Sequence, residues 1–186
     1  MKVIETELSG VKIFAPAVFS DSRGYFLETW QKKNYETAGI ELSFVQDNIS
    51  VSQKNVLRGL HYQYPHSQGK LAQVLAGEVL DIAVDVRLGS PTFGKWVSVE
   101  LSEANHRQLY IPPGFAHGFC VISDNATFSY KCTDYYDSAS EVGIIWNDPD
   151  LNINWPVDKP ELSAKDSRYP KLANIAADKL PRFGRM

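Results

Sequence analysis

Residues 79–86 read Val-Leu-Asp-Ile-Ala-Val-Asp-Val, an unbroken alternation. Successive side chains of an extended chain point to opposite faces. Leu80, Ile82, Val84 and Val86 therefore share one face, and Asp81, Ala83 and Asp85 the other. Two arrangements accommodate this: a half-exposed sheet that turns its aspartates to water, or a barrel whose interior holds a polar site. Residues 96–101 (WVSVEL) and 126–132 (ATFSYKC) show the same period of two. Turn-forming segments punctuate them at 77–78 (GE), 89–94 (GSPTFG), 112–114 (PPG) and 123–125 (SDN). Short strands spaced by turns at roughly 8–12 residues predict a mainly β sandwich or barrel. Helix is scarce: residues 28–38, closed by Gly39, predict one helix, and residues 102–105 a single turn. The chain shows no repeat and no compositional break, so residues 1–186 read as one domain. Pro156, Pro160, Pro170 and Pro181 mark an irregular tail, from about residue 150, that wraps it.

Composition narrows the function. The 186 residues suffice for one buried core, and 44% hydrophobic with 22% charged residues describes a globular chain. The net charge of −3 carries no clustered basic excess, which argues against a nucleic-acid partner. No apolar run approaches the roughly 20 residues needed to span a bilayer. Residues 1–10 contain Glu5 and Glu7 and no apolar stretch, unlike a secretory signal, so a cytoplasmic protein is expected. The two cysteines, Cys120 and Cys132, read as buried thiols rather than a disulfide framework.

Two histidine-bearing segments stand out. Residues 57–63 (LRGLHYQ) are followed by 70–77 (KLAQVLAG), and the second segment is 111–119 (IPPGFAHGF). A lone histidine is more often structural, but Pro-x-Gly-x-x-His ahead of a strand places an imidazole at a barrel mouth. Together the segments resemble a cupin, which implies a double-stranded β-helix or jelly-roll barrel with a few short helices. Metal-binding cupins carry His-x-His, then a Glu followed by six residues and a Gly, then the second His segment. This chain keeps His61, Gly77 and His117 but has Gln63 for the second His and Lys70 for the Glu. An ammonium offers no lone pair and repels a dication, so no metal is expected. A cation in a partly dry cavity suits a developing oxyanion instead.

Seven patterns, the two histidine segments among them, occur in order: Asp21-Ser-Arg-Gly24 with Phe26-x-Glu28; Val45-Gln-Asp-Asn48-x-Ser50; Leu57-Arg-Gly-Leu-His61; residues 85–94 (DVRLGSPTFG); residues 113–119 (PGFAHGF); residues 130–136 (YKCTDYY); and Leu162-Ser-x-Lys-Asp166. Each alone is weak. In this order, from near residue 5 to near residue 170, they resemble the dTDP-4-dehydrorhamnose 3,5-epimerase family. The resemblance implies a nucleotide-linked 4-keto sugar whose C3 and C5 hydrogens are both α to the carbonyl, serving dTDP-L-rhamnose supply for polysaccharide. The epimerisation it implies needs no cofactor, so none is expected. It makes His61 the base, Asp166 its carboxylate partner, Lys70 the cation near the C4 oxygen and Tyr130 the general acid. His117 becomes a substrate contact. Arg23 and Arg58 match pyrophosphate positions, and Glu28, Gln46, Asp47 and Asn48 match positions near the nucleoside and phosphates. Tyr136, rather than Tyr135, matches the ring stacked on thymine, and Glu141 and Lys165 match further contacts. The family is a homodimer with exchanged N-terminal strands, consistent with the β-rich residues 3–19.

The residues themselves support parts of this. An imidazole titrates near neutrality, as proton abstraction at pH 7 requires. Tyr130 shares a strand face with Phe128 and Cys132, so it looks inward with them. By the same parity Asp81 is placed to anchor Lys70 or His117. Other readings stay open: a C3- or C5-only epimerase or 3,4-ketoisomerase on the same scaffold, a metal cupin, or a sugar-nucleotide binding module without catalysis.

Overall fold

A computed structural model describes residues 1–184. The strands are β1 (Lys2–Glu5), β2 (Lys12–Ala15), β3 (Val18–Asp21), β4 (Gly24–Leu27), β5 (Gln46–Gln53), β6 (Leu57–Gln63), β7 (Lys70–Ala76), β8 (Glu78–Asp85), β9 (Trp96–Ser102), β10 (Gln108–Ile111), β11 (Phe115–Val121), β12 (Asn125–Cys132) and β13 (Glu141–Gly143), with one helix, α1 (Lys32–Thr37). They build a six-stranded sheet, β1-β2-β10-β7-β12-β5, and a five-stranded sheet, β13-β6-β11-β8-β9. Neighbours in both are antiparallel. Strands distant in sequence are neighbours in space, giving the jelly-roll barrel of the cupin architecture.

The aspartates of β8 decide between the two sequence readings. Asp81 and Asp85 are both 0% exposed, which excludes a water-facing side. Val79 and Ala83 belong to the barrel core, with Val74, Leu101, Phe119 and Phe128. The aliphatic stripe, Leu80, Ile82, Val84 and Val86, faces the other way and packs under Leu151, Leu172 and Leu180 of the tail. Asp85 ends the strand in a structural network: it accepts bonds from the Arg87 backbone (2.9 Å) and side chain (2.7 and 2.9 Å), Ser90 (2.6 Å) and Thr92 (2.6 Å). Only Asp81 is left for the interior.

The tail carries short 3-10 turns at Asp166–Arg168, Leu172–Asn174 and Ala177–Lys179 and is closely seated. Parallel bridges join Val56 to Glu161 and Leu88 to Arg182. The Trp96 indole donates to the Leu151 carbonyl at 2.8 Å. The Arg87 guanidinium lies between the rings of Phe115 and Phe183, 4.3 and 5.0 Å from their centroids.

The helix is shorter than residues 28–38. Thr29 is tied to the sheet, its carbonyl accepting from Tyr35 (3.0 Å) and Gln108 (2.7 Å), so the chain stays extended until Gln31. Gly39, at φ +90°, closes the helix as expected. The turn after β9 also forms, held by reciprocal bonds between Ser102 and Asn105. Both cysteines are free and buried. No helix among the described residues is long and apolar enough to cross a membrane.

The β3–β4 hairpin pairs only with itself among the described residues. It leaves Phe19 and Phe26 65% and 70% exposed. The edge strand β5 likewise exposes Ile49 and Val51.

Because the tail covers the outer face of β8, it belongs to the cooperative core. Leu172→Ala should lower stability by about 2–4 kcal/mol in urea denaturation. A loss well under about 1 kcal/mol would mean the tail is only laid on the surface.

Candidate active site

The site begins with an irregularity in β6. His61 is paired with His117 of β11, but Arg58 is paired with Phe119. Three residues on β6 thus span two on β11, which is a β-bulge. In a regular ladder Arg58 and His61 would face opposite sides. The extra residue turns both toward the same cavity, which both line. Glycine makes this possible: Gly59 has φ +121°, and a Cβ there would lie 2.5 Å from the Cα of Gly118.

That cavity, of about 410 Å³, opens between the sheets. The five-stranded sheet contributes His61, Arg58 and His117. The six-stranded sheet contributes Lys70, Tyr130, Gln46 and Asn48 from the facing wall. The tail closes one side with Ser163, Lys165 and Asp166.

Two histidine–carboxylate pairs occupy different surroundings. His61 Nε2 lies 2.6 Å from Asp166 Oδ1, with the histidine side chain 27% exposed. Burial alone would raise the Asp166 carboxyl. The His61 hydrogen bond and charge, with a bond from Ser163, hold it below the usual carboxylate range. With Nε2–H directed to Asp166, Nδ1 keeps the lone pair. His117 Nε2 lies 2.8 Å from Asp81 Oδ1, and both side chains are buried. Burial pushes His117 down and Asp81 up, each toward its neutral form. Asp81 Oδ2 has no partner among the described residues. The parity argument for Asp81 thus resolves toward His117.

Burial also lowers Lys70, against the opposing pull of Cys132 and Asp81. Its ammonium sits 5.9 Å from the Tyr130 ring centroid. Tyr130 is raised, chiefly by burial, which keeps the phenol protonated. Among the described residues no three His, Cys, Asp or Glu side chains converge as a metal centre would require.

Most of the expected residues meet here. Tyr136 lines the cavity, while Tyr135 is 67% exposed outside it. Glu141 accepts from Lys165 (2.5 Å), Tyr136 (2.6 Å) and Tyr169 (2.9 Å). Burial would raise its carboxyl, but these donors bring it down to about 2. Three expected residues do not reach the cavity within one chain. Asp47 points to the outer face between Gln46 and Asn48 and pairs with Lys131 at 2.9 Å. Arg23 sits on the β3–β4 turn, paired with Asp21 at 2.6 Å. Glu28 is exposed and accepts from Asn34.

Two contributors were missed. Gln63, noted only as a replaced ligand, holds the Tyr136 loop: its amide donates to the Tyr135 carbonyl (3.2 Å) and its oxygen accepts from the Asp137 N–H (3.0 Å). Ser50 also lines the cavity, and its hydroxyl has no partner among the described residues. Its alternation with Asn48 on β5 was the available signal.

A family model described as dTDP-4-dehydrorhamnose 3,5-epimerase matches residues 5–174. The chain is 57% identical over 176 residues to the dTDP-4-dehydrorhamnose 3,5-epimerase of Shigella flexneri, covering 94% of this chain and 97% of that protein. Its fold matches the crystal structure of a dTDP-6-deoxy-D-glucose-3,5-epimerase from Legionella pneumophila in complex with dTDP-4-keto-L-rhamnose. There the TM-score is 0.96 at 55% identity, over 98% of each chain. A 3'-monoepimerase from Streptomyces bikiniensis, in complex with dTDP-quinovose, is more distant: TM-score 0.89 at 35% identity, over 96% of this chain and 92% of that one. With the barrel, the two histidine–carboxylate pairs and the facing Lys70 and Tyr130 in place, these matches establish that the chain belongs to the dTDP-4-dehydrorhamnose 3,5-epimerase family.

Proposed function

We propose that this chain inverts C3 and C5 of dTDP-4-dehydro-6-deoxy-D-glucose, giving dTDP-4-dehydro-L-rhamnose, with His61 as base and Tyr130 as acid. The observation that carries the assignment of roles is their placement on opposing walls of one cavity. Inversion at a carbon needs a proton removed from one face and returned to the other. A base and an acid on the same wall would only exchange it.

The hydrogens at C3 and C5 are acidic because the C4 ketone can hold the charge as an enolate. Nδ1 of His61 takes the proton, and Asp166 stabilises the resulting imidazolium through the Nε2–H bond. Negative charge moves to the C4 oxygen, where the Lys70 ammonium opposes it; a preorganised donor of this kind is worth on the order of 3 kcal/mol. Tyr130 delivers its phenolic proton to the opposite face of the carbon and becomes phenolate. His61 then loses its proton to solvent and Tyr130 regains one, so each turnover is redox-neutral and proton-balanced. Arg58 meets a phosphate of the pyrophosphate, and Tyr136 offers a flat ring to the base.

The protein works as a homodimer in the cytoplasm. The exposed Phe19 and Phe26 of the β3–β4 hairpin and Ile49 and Val51 of β5 form apolar surface suited to a second copy. Exchange of the hairpin would carry Arg23, and the residues beside it, to the partner's cavity. The free buried thiols suit a reducing compartment.

Turnover in D₂O, followed by NMR, should place deuterium at both C3 and C5 without any added cofactor. Label at one carbon alone would make the protein a mono-epimerase. His61→Ala should abolish exchange at both positions. Tyr130→Phe should keep part of the exchange while losing inverted product; wild-type behaviour of both variants would refute the roles. In light scattering the wild-type chain should have the mass of a dimer and Phe26→Asp that of a monomer. A monomeric wild type would remove the proposed sharing of sites.

A further inference from the structure

Asp166 comes from an irregular tail, yet its bond to His61 needs sub-ångström placement. Locally it opens a 3-10 turn (Asp166–Arg168), held by its own N–H to the Ser163 hydroxyl (3.0 Å) and by the Ser167 N–H to the Ser163 carbonyl (3.1 Å). The firmer hold lies next to it. Lys165, adjacent in the chain, and Tyr169, three residues on, both donate to the same oxygen of Glu141. Glu141 sits on β13, whose partner strand is β6, and Gly143 of β13 stands opposite His61 itself. One carboxylate therefore fastens both ends of the segment carrying Asp166 to the strand beside His61.

Two details show that the seat is shaped for this. A Cβ on Gly143 would lie 2.3–2.5 Å from the Tyr169 ring, so only glycine lets that ring cross β13. The ring then meets His61 edge-on, with centroids 5.5 Å apart at 70°. The second oxygen of Glu141 accepts from Tyr136, which joins the nucleotide end of the cavity to the same anchor.

We propose that Glu141 is a positioning residue for the proton-abstracting pair, locking the Lys165–Tyr169 segment against β13 so that Asp166 stays in register with His61. This rests on reading His61 and Asp166 as that pair. The family resemblance offered Glu141 only as a further contact to the ligand. The geometry gives it a task that persists with the cavity empty.

The test measures kcat and KM for deuterium exchange at C3 and C5 in Glu141→Gln, Lys165→Met and the double variant, alongside melting temperatures. Lys165 is half-exposed, so its replacement leaves the fold intact even if Glu141→Gln proves unstable. Each single variant should lower kcat about 10-fold or more, equally at both carbons, because one misplaced base serves both. The double variant should be no worse than the poorer single one, since both break the same link. The free wild-type protein should show a downfield proton resonance for the 2.6 Å His61–Asp166 bond, and this should shift or broaden in both single variants. Variants that melt earlier but keep wild-type kcat would reduce Glu141 to a structural role and overturn the proposal. So would additive effects confined to KM, the mark of a ligand contact. Exchange persisting in His61→Ala would instead overturn the underlying assignment of the base.

Discussion

Both faces of β8 must be kept from water, and the rest of the molecule follows from how this is done. The inward face is covered by the opposing sheet. The outward stripe of Leu80, Ile82, Val84 and Val86 has no sheet to meet, so the tail lies over it with Leu151, Leu172 and Leu180. That hydrophobic requirement brings an otherwise irregular segment to the barrel mouth. Asp166 arrives there as a by-product of covering a strand, and a packing demand thus supplies the carboxylate that meets His61.

Inside the barrel, burial sorts the ionisable groups. At the deep end it favours neutral forms: His117 and Lys70 are pushed down, Asp81 and Tyr130 up. At the mouth, Asp166 is held ionised by its neighbours. Two chemically identical pairs are thereby assigned different work, one able to separate charge and one biased against it. A phenol kept protonated and the Lys70 side chain, with no ion-pair partner among the described residues, both line the cavity opposite the His61–Asp166 pair.

The alternation of residues 79–86 was enough to find the strand and group its side chains, but not to say which group faced the core, because both faces are buried. Only the neighbouring segments, with Lys70 and His117 in ligand-like positions, favoured a barrel with a polar interior. The helix was overdrawn because no local propensity records that the Thr29 carbonyl is claimed by Gln108 and Tyr35. Motif order brought out His61, Lys70, Tyr130 and Asp166, yet the reason Arg58 joins them was hidden. A bulge depends on the facing strand, and nothing within residues 57–63 alone reveals that Gly59 meets Gly118. Asp47 shows the converse: it belongs to a recognised motif, but strand parity turns it to the outside. Arg23 and Glu28 belong to a recognised motif too, but they ride on or beside a hairpin whose strands pair only with each other among the described residues, away from the cavity.

The contact between Gly59 and Gly118 also bears on how relatives of this barrel can diverge. Enlarging either residue would push the strands apart, straighten the ladder and swing Arg58 out of phase with His61. In this chain the side chains around the cavity rim can therefore change more freely than the glycine pair beneath them. The offset between the two strands thus ties the phase of Arg58 and His61 to two positions that leave no room for a side chain.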